Sequence, residues 1–168
     1  TILNISVPEV TAVEAKKATL AAVDTDTPVY LRLAREKTPV MTTLKTTFKI
    51  GKAEIFWESK SPEVGIIATG ALLYKALLAA KELQEDGVEV SVMNLSTIKP
   101  LDEKAIIDLA RKAKKIVTVE EHQIRGGMGS AVAELLAQTY PVAIEFIGVD
   151  DQFGQSGTPE ELIEHYEM

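Results

Sequence analysis

The sequence lacks cysteine altogether and has only two histidines, His122 and His165. The absence of cysteine excludes disulfides, thiolate nucleophiles and zinc–thiolate sites, and two histidines are too few for a His-rich metal site. No apolar run approaches the ~18 residues that a membrane span needs, and no signal peptide is visible at the first residues. We therefore expect a cytoplasmic protein whose own residues bind no metal.

Basic residues are scarce over most of the chain. The 168 residues carry a formal net charge of −7, yet the first 45 residues sum to +1 and the remainder to −8. An acidic body without a basic stripe argues against binding to nucleic acid or to an anionic membrane. The length is enough for one domain together with part of another.

The first part of the chain predicts a single β-α-β unit. An alternating strand over residues 2–8 precedes a helix from about Glu9 to Asp24, and Pro28 opens a second strand. The residues expected on the buried face of this helix are Val10, Val13, Leu20 and Ala21. One such unit cannot cover both faces of a parallel sheet, so it needs neighbours.

Residues 34–47 lose all periodicity and predict a linker, with a domain boundary near Thr46. We therefore divide the chain into residues 1–45, a partial unit with its linker, and residues 46–168, a complete domain. In the second part strands and helices alternate, which predicts a three-layer α/β/α fold around a mostly parallel sheet of five strands. No helix separates its first strand from the second, so that first strand could be antiparallel. The residues expected to end or cap its helices are Gly87, Asp102 and Thr158.

The most conspicuous polar segment is EEHQIRGGMG, residues 120–129. It lies at a predicted strand end, and ligands of such sheets gather beyond the carboxyl ends of the strands. The other polar residues at such ends are Ser96, Thr97, Asp150 and Asp151. The glycine spacing matches neither the dinucleotide fingerprint nor the P-loop. A tight strand-to-helix turn is therefore the preferred interpretation, ahead of a phosphate site.

Glu120, Glu121 and His122 contain the residue types of an acid–base set. Because they are consecutive, their side chains alternate between the two faces of a strand and do not converge. We interpret them as solvated or interface groups. Asp150 and Asp151 similarly predict a turn, because the segment lacks the further oxygen ligands that calcium takes.

Two arginines, Arg32 and Arg35, mark the segment LRLAREKTP at the end of the second predicted strand. Their odd spacing places them on opposite sides of extended backbone, so only one points into a crevice. An arginine there suits a phosphate or carboxylate. The alternative is a surface ion pair with Glu36 or Glu9, and the residue pattern alone leaves both open.

The segment with these two arginines, together with several later segments, resembles the transketolase family. Residues 6–40, which end in LAREKTPV, resemble the end of its pyrimidine-binding domain. Five later segments resemble its C-terminal domain, in family order: FKIGKAEIFWES, VGIIATGALLYKALLAAKEL, VEVSVMNLSTIKPLD, IVTVEEHQIRGGMGSAVAELLA and GVDDQFGQSGTPEELIEHY. The resemblance covers essentially the whole chain. The chain resembles the C-terminal section of a split, two-chain enzyme, and a piece cut from a long single-chain enzyme would look similar.

The resemblance implies an enzyme that transfers a two-carbon ketol unit between sugar phosphates, with thiamine diphosphate and magnesium as cofactors. The family is dimeric, and its activating glutamate, cofactor-stacking aromatic residue and diphosphate and metal site lie outside the stretch resembled here. The chain alone is therefore expected to be inactive, to bind no cofactor and to hold no catalytic residue, and to need an N-terminal section as partner. Arg35 matches the family position that contacts the substrate phosphate. For the glycine segment, residues 120–129, the resemblance implies a strand-to-helix turn at a domain or subunit contact.

Related thiamine enzymes share this domain, namely the 2-oxoacid dehydrogenase β subunit and deoxyxylulose-phosphate synthase. The arginine in LAREKTP favours transketolase, because it suits a sugar-phosphate substrate. An alternative of a different class is a non-catalytic module for assembly or regulation.

Overall fold

The computed structural model describes residues 3–6, 12–33, 39 and 41–168. In the first part of the chain, β1 (Leu3–Ser6) pairs in parallel with β2 (Val29–Arg32), and the helix α1 (Ala12–Val23) connects them. This is the β-α-β unit that the sequence predicts. It forms a two-stranded sheet of its own, separate from the sheet that follows.

The second sheet has five strands in the order β3-β5-β4-β6-β7. The strands are β3 (Glu54–Trp57), β4 (Val64–Ala68), β5 (Val90–Asn94), β6 (Lys115–Gln123) and β7 (Ala143–Val149). The helices are α2 (Leu72–Glu85), α3 (Glu103–Ala113), α4 (Met128–Thr139) and α5 (Pro159–His165). All neighbouring strands are parallel except β3, which runs antiparallel to β5. The predicted sheet and its antiparallel first strand are confirmed.

The sheet is covered on both faces because successive residues of a strand point to opposite sides. On β4, Ile66 packs with Leu73 and Ala76 of α2, whereas Ile67 packs with Ile106 of α3 and Leu136 of α4. The result is the predicted three-layer α/β/α arrangement. No helix in the described part of the chain is long and apolar enough to span a bilayer.

The predicted helix ends are also present. Gly87 takes a positive φ of 84° just after α2, and Thr158 forms a capping box with Glu161 at the start of α5. Asp102 accepts a hydrogen bond from the amide of Ala105 in the first turn of α3. The same carboxylate accepts from the amide of Ala53 at 3.2 Å and from Lys52 Nζ at 3.3 Å, which fixes the chain just before β3.

The buried face of α1 differs from the prediction. Glu14 and Ala18 are buried, whereas Leu20 is 58% exposed and Val23, at the helix end, is 78% exposed. Val10 lies outside the described residues. Val13 and Ala21 are half-buried, so the prediction holds only in part. It assigned only apolar residues to the buried face, whereas the fully buried positions are a carboxylate that contacts β5 and an alanine that packs against β2. The apolar residues Leu20 and Val23 remain uncovered.

The described part of the predicted linker is tied to α1. Lys17 Nζ donates hydrogen bonds to the carbonyl oxygens of Thr43 at 3.2 Å, Leu44 at 3.0 Å and Thr46. A tight turn forms between Thr43 and Thr46, closed by the hydrogen bond from Thr46 N to Thr43 O. The segment therefore connects the two sheets through specific contacts.

Candidate functional site

The first element of the site is the N-terminus of α4, which meets the side chain of Glu120 on β6. Glu120 is 2% exposed, and its two carboxylate oxygens accept hydrogen bonds from the amides of Met128 at 2.7 Å and Gly129 at 2.8 Å. Amides at a helix N-terminus attract anions. Here the anion is a carboxylate of the same chain, so these two amides are already occupied.

The glycines after Glu120 are explained by close packing around that carboxylate. A Cβ atom on Gly127 would overlap the Glu120 carboxylate and the carbonyl oxygen of Gln123, and one on Gly129 would lie 2.5 Å from Thr118 Oγ1. Gly126 takes a positive φ of 78°, which turns the chain from β6 into α4. The predicted strand-to-helix turn is confirmed, and its glycines serve that turn.

The prediction that Glu120, Glu121 and His122 are all solvated or interface groups is wrong for Glu120, which is buried. Burial raises the pKa of Glu120, and the hydrogen bonds from Gly129 and Met128 oppose that rise. Its neighbour Glu121 faces another way and forms an ion pair with Arg32, with 3.1 Å between Oε1 and the guanidinium Nη1. The two carboxylates therefore do not converge, as the alternation of strand residues predicts.

The Arg32–Glu121 pair joins the two sheets. Arg32 ends β2 and Glu121 lies on β6, and their side chains are 39% and 29% exposed. Beside the pair, burial and the Arg32 charge lower the pKa of His122, against the opposing effect of Glu121. His122 Nε2 is buried and makes no hydrogen bond to the described residues. Arg35, the predicted substrate-binding residue, lies outside the described residues.

A large cleft opens beyond the carboxyl ends of β2, β4 and β6. Its volume is about 1590 Å³. Its polar and charged lining residues include Arg32, Thr69, Lys75, Lys99, Glu121, His122, Arg125 and Glu160. The cleft contains part of the expected group of strand ends but not all of it: Glu120, Glu121 and His122 line it, whereas Ser96 and Thr97 do not.

The second group expected at a strand end, Asp150 and Asp151, forms a bend after β7. Asp150 pairs with Arg125, 3.4 Å from carboxylate oxygen to Nε, and both side chains are well exposed. Asp151 has a positive φ of 50°. Among the described residues no group of three or more His, Asp or Glu could hold a metal ion.

Sequence reasoning missed one buried carboxylate, Glu14 on α1. Glu14 is 5% exposed, and its Oε1 accepts a hydrogen bond from Asn94 Nδ2 of β5 at 3.2 Å. Burial, and then the charge of Glu54, raise the pKa of Glu14 from 4.5 to about 7, against the lowering effect of Asn94, Ser96 and Lys17. No local pattern could reveal it, because Asn94 is 80 residues away along the chain.

Fold and cleft together define a doubly wound α/β domain that carries a β-α-β unit at one end of its sheet. Residues 51–168 match the family described as transketolase, C-terminal domain. The chain belongs to the transketolase C-terminal domain family.

Several known proteins are similar to this chain. A 6-deoxy-6-sulfo-D-fructose transketolase subunit of Clostridium sp. is 40% identical over 84% of this chain and 43% of that protein. A 1-deoxy-D-xylulose-5-phosphate synthase of Desulfitobacterium hafniense is 41% identical over 77% of this chain and 21% of that protein. The structure described as split gene transketolase, inactive β4 tetramer, is 34% identical with a TM-score of 0.89, and the match covers 98% of this chain and 52% of that one. The chain thus spans about half the length of these relatives or less.

Proposed function

We propose that this chain is the C-terminal section of a transketolase that uses thiamine diphosphate to transfer a two-carbon ketol unit between sugar phosphates. Residues 1–45 belong to its pyrimidine-binding domain, and residues 46–168 form its C-terminal domain. The observation that carries the proposal is the match to a split-gene transketolase over 98% of the chain, which includes the first β-α-β unit as well as the second sheet.

The cofactor is assigned to the missing part of the enzyme. Magnesium with a bound diphosphate needs a set of oxygen ligands, and the described residues contain no cluster of three acidic or histidine side chains. The described residues therefore do not fit this group. The role left for this chain is to complete the pyrimidine-binding domain and to bind substrate. The name of the related structure describes an inactive assembly of one kind of chain, which supports the need for a second section.

The direct test supplies the missing sections. The chain should be combined with the diphosphate-binding domain and the remainder of the pyrimidine-binding domain, and ketol transfer should be measured with thiamine diphosphate and magnesium. We expect activity from the combination and none from either part. In calorimetry, the chain alone should give no magnesium-dependent heat with thiamine diphosphate beyond that of pyrophosphate. Tight, stoichiometric cofactor binding by the chain alone would contradict the assignment.

A second candidate activity is the synthesis of 1-deoxy-D-xylulose 5-phosphate, because one relative with 41% identity carries that name. The same combined assembly distinguishes the two. Formation of 1-deoxy-D-xylulose 5-phosphate without ketol transfer between sugars would favour this alternative.

Arg35 is proposed as the residue of this chain that binds the anionic group of the substrate. In the combined assembly, Arg35→Ala should raise KM for phosphorylated sugars by about ten- to a hundredfold, because one charge-assisted hydrogen bond contributes about 1.5–3 kcal/mol. Sugars without phosphate should be nearly unaffected, because they offer the guanidinium no partner. Steady-state kinetics with both kinds of substrate measures the difference.

Two further variants control this experiment. Arg35→Lys should restore binding only in part, because it keeps the charge and loses the planar fork. Arg32→Ala should lower stability with little change in substrate selectivity, because Arg32 is paired with Glu121. An equal loss with both kinds of substrate on Arg35→Ala would mean that Arg35 has a structural role.

The partial β-α-β unit is proposed to associate with further protein, either the missing section or a second copy. Leu20, Val23, Tyr30 and Leu33 of this unit are between 48% and 78% exposed, and exposed apolar side chains in one region mark interfaces. We expect the chain alone to self-associate at micromolar concentration, and Leu20→Glu with Val23→Glu to weaken this association by at least about tenfold. Sedimentation equilibrium measures it. Leu44→Glu is the control, because Leu44 is 81% exposed in a turn outside this unit; equal weakening by both would contradict the assignment.

A further inference from the structure

The cleft lies at a topological switch point of the five-stranded sheet. From β4 the chain passes through α2 to β5 on one side, and from β5 it passes through α3 to β6 on the other side of β4. In open α/β sheets, ligands bind beyond the carboxyl ends of the strands at such a reversal. Here those ends are Thr69, which follows β4, and Glu120 on β6, and both line the cleft.

Two helices begin at this point, and they differ in how their N-termini are satisfied. The amides of α4 are occupied by the buried carboxylate of Glu120. The N-cap of α2 is Ala71, which supplies no side-chain hydrogen bond, and the first turn of α2 has no acidic residue. By contrast, α3 is capped by Asp102 and α5 by Thr158. Within α2 to α5, the N-terminus of α2 is therefore the one without a side-chain acceptor.

A separate observation also indicates a ligand at this position. Thr69 is 2% exposed, directly precedes the turn into α2 and lines the cleft. Its hydroxyl Oγ1 is buried and makes no hydrogen bond to the described residues. A buried hydroxyl without a partner costs free energy, and natural structures rarely leave one so. A ligand that accepts a hydrogen bond at this place would remove that cost.

The charges of the lining identify the chemistry of the ligand. Arg32 is paired with Glu121, and Arg125 with Asp150. Lys75, in the first turn of α2, and Lys99 also line the cleft, and the described residues give neither lysine an ion-pair partner. Three acidic residues also line the cleft: Glu121 is paired with Arg32, Glu120 accepts from the amides of α4, and Glu160 lies at the start of α5. An anion is therefore favoured at the α2 end of the cleft, although the chain as a whole carries −7.

We propose that this cleft binds a small phosphorylated molecule, with its phosphoryl group at the N-terminus of α2, held by the amides there, the hydroxyl of Thr69 and the ammonium groups of Lys75 and Lys99. Helix amides and two lysines together recognise a phosphate without a metal. This binding does not depend on ketol transfer, so its test is independent of the test of the proposed function.

The experiment uses the chain alone, with inorganic phosphate and ribose 5-phosphate as probes and sodium chloride at matched ionic strength as the reference. In two-dimensional amide NMR, both phosphates should shift the amides of residues 71–74 in a saturable manner, and chloride should not. Tighter binding of ribose 5-phosphate than of inorganic phosphate identifies a phosphorylated metabolite as the ligand. The absence of saturable shifts at 71–74, or equal shifts with chloride, overturns the proposal, as does equal affinity for the two phosphates.

Matched variants locate the binding to this site. Lys75→Ala combined with Lys99→Ala should raise Kd about tenfold or more. Lys81→Ala should not change Kd, because Lys81 lies on the same helix, is exposed and pairs with Glu85. If Lys81→Ala weakens binding as much as the double variant, the site is wrong.

Thr69→Val keeps the test informative if a lysine variant folds poorly. Valine has the same shape and removes the hydroxyl that lacks a partner, so the melting temperature should hold or rise. Binding of phosphate should nevertheless weaken by about tenfold, the effect of losing one hydrogen bond to a charged group. A lower melting temperature with unchanged Kd would show that the hydroxyl is structural and would overturn its role in binding.

Discussion

Glu14→Gln should stabilise the protein at pH 8 and have little effect at pH 4. The raised pKa of Glu14, about 7 against an ordinary 4.5, means that the folded chain holds a proton that the unfolded chain releases between those two values. The contribution of Glu14 to the free energy of unfolding is therefore present in full below pH 4.5 and is lost as the pH rises towards 7. Glutamine cannot ionise and does not suffer this loss. The upper limit of the gain is about 3.5 kcal/mol, because each pH unit between the two pKa values contributes about 1.4 kcal/mol.

The measurement is the free energy of unfolding in urea from pH 4 to pH 8 for both proteins. Glutamine keeps the oxygen that accepts from Asn94 Nδ2, so the contact between α1 and β5 is preserved. Glu82→Gln is the matched control, because Glu82 lies on the exposed side of α2, and it should give the same pH profile as the unaltered chain. A difference between Glu14→Gln and the unaltered chain that stays constant across this pH range would rule out the explanation.

Glu120→Ala should destabilise the protein by about 3 kcal/mol. The change removes the acceptor of two buried amides at the start of α4, and each buried donor left without a partner costs about 1–3 kcal/mol. Relief from burying a carboxylate offsets part of this cost. Glu120→Gln should fall between alanine and the unaltered chain, because it retains one acceptor and places an amide group where the second acceptor was.

Glu121→Gln provides the comparison on the neighbouring residue. Its partner Arg32 is 39% exposed, and ion pairs open to solvent contribute about 0–1 kcal/mol. Urea unfolding of the three variants should therefore rank Glu120→Ala well below Glu121→Gln in stability. If the alanine variant lies within about 0.5 kcal/mol of the unaltered chain, the carboxylate does not hold α4 in place.

The order of the strands and helices could be predicted because their signals are local. The apolar stripe of α3 follows helical spacing, and all four of its predicted members, Ile106, Leu109, Ala110 and Ala113, are buried. Gly87 and Asp102 act at helix ends that lie within a few residues of them. The sequence also indicated that β3 could run antiparallel, because no helix separates it from β4.

The site was less predictable because it depends on contacts between distant segments. Alternation correctly separated Glu120 from Glu121, but it gave no information on which of the two would be buried. That outcome depends on the backbone amides of Met128 and Gly129 and on the absence of Cβ atoms at the glycines. Glu14 was missed for the same reason. The sequence around it does not distinguish it from a solvent-exposed helix residue, and it is buried only because β5 packs against it.

The hydrogen bonds of Lys17 determine where the chain can be cut into separate segments without loss of contacts. Composition places the boundary within residues 34–47, yet Lys17 binds three carbonyl groups between Thr43 and Thr46, and Glu14 binds Asn94 across the junction. A cut there would leave the amide of Asn94 without its carboxylate and open the buried face of α1. Exchange of segments between relatives should therefore preserve function only when both units come from the same parent, and limited proteolysis of the folded chain should spare residues 43–46.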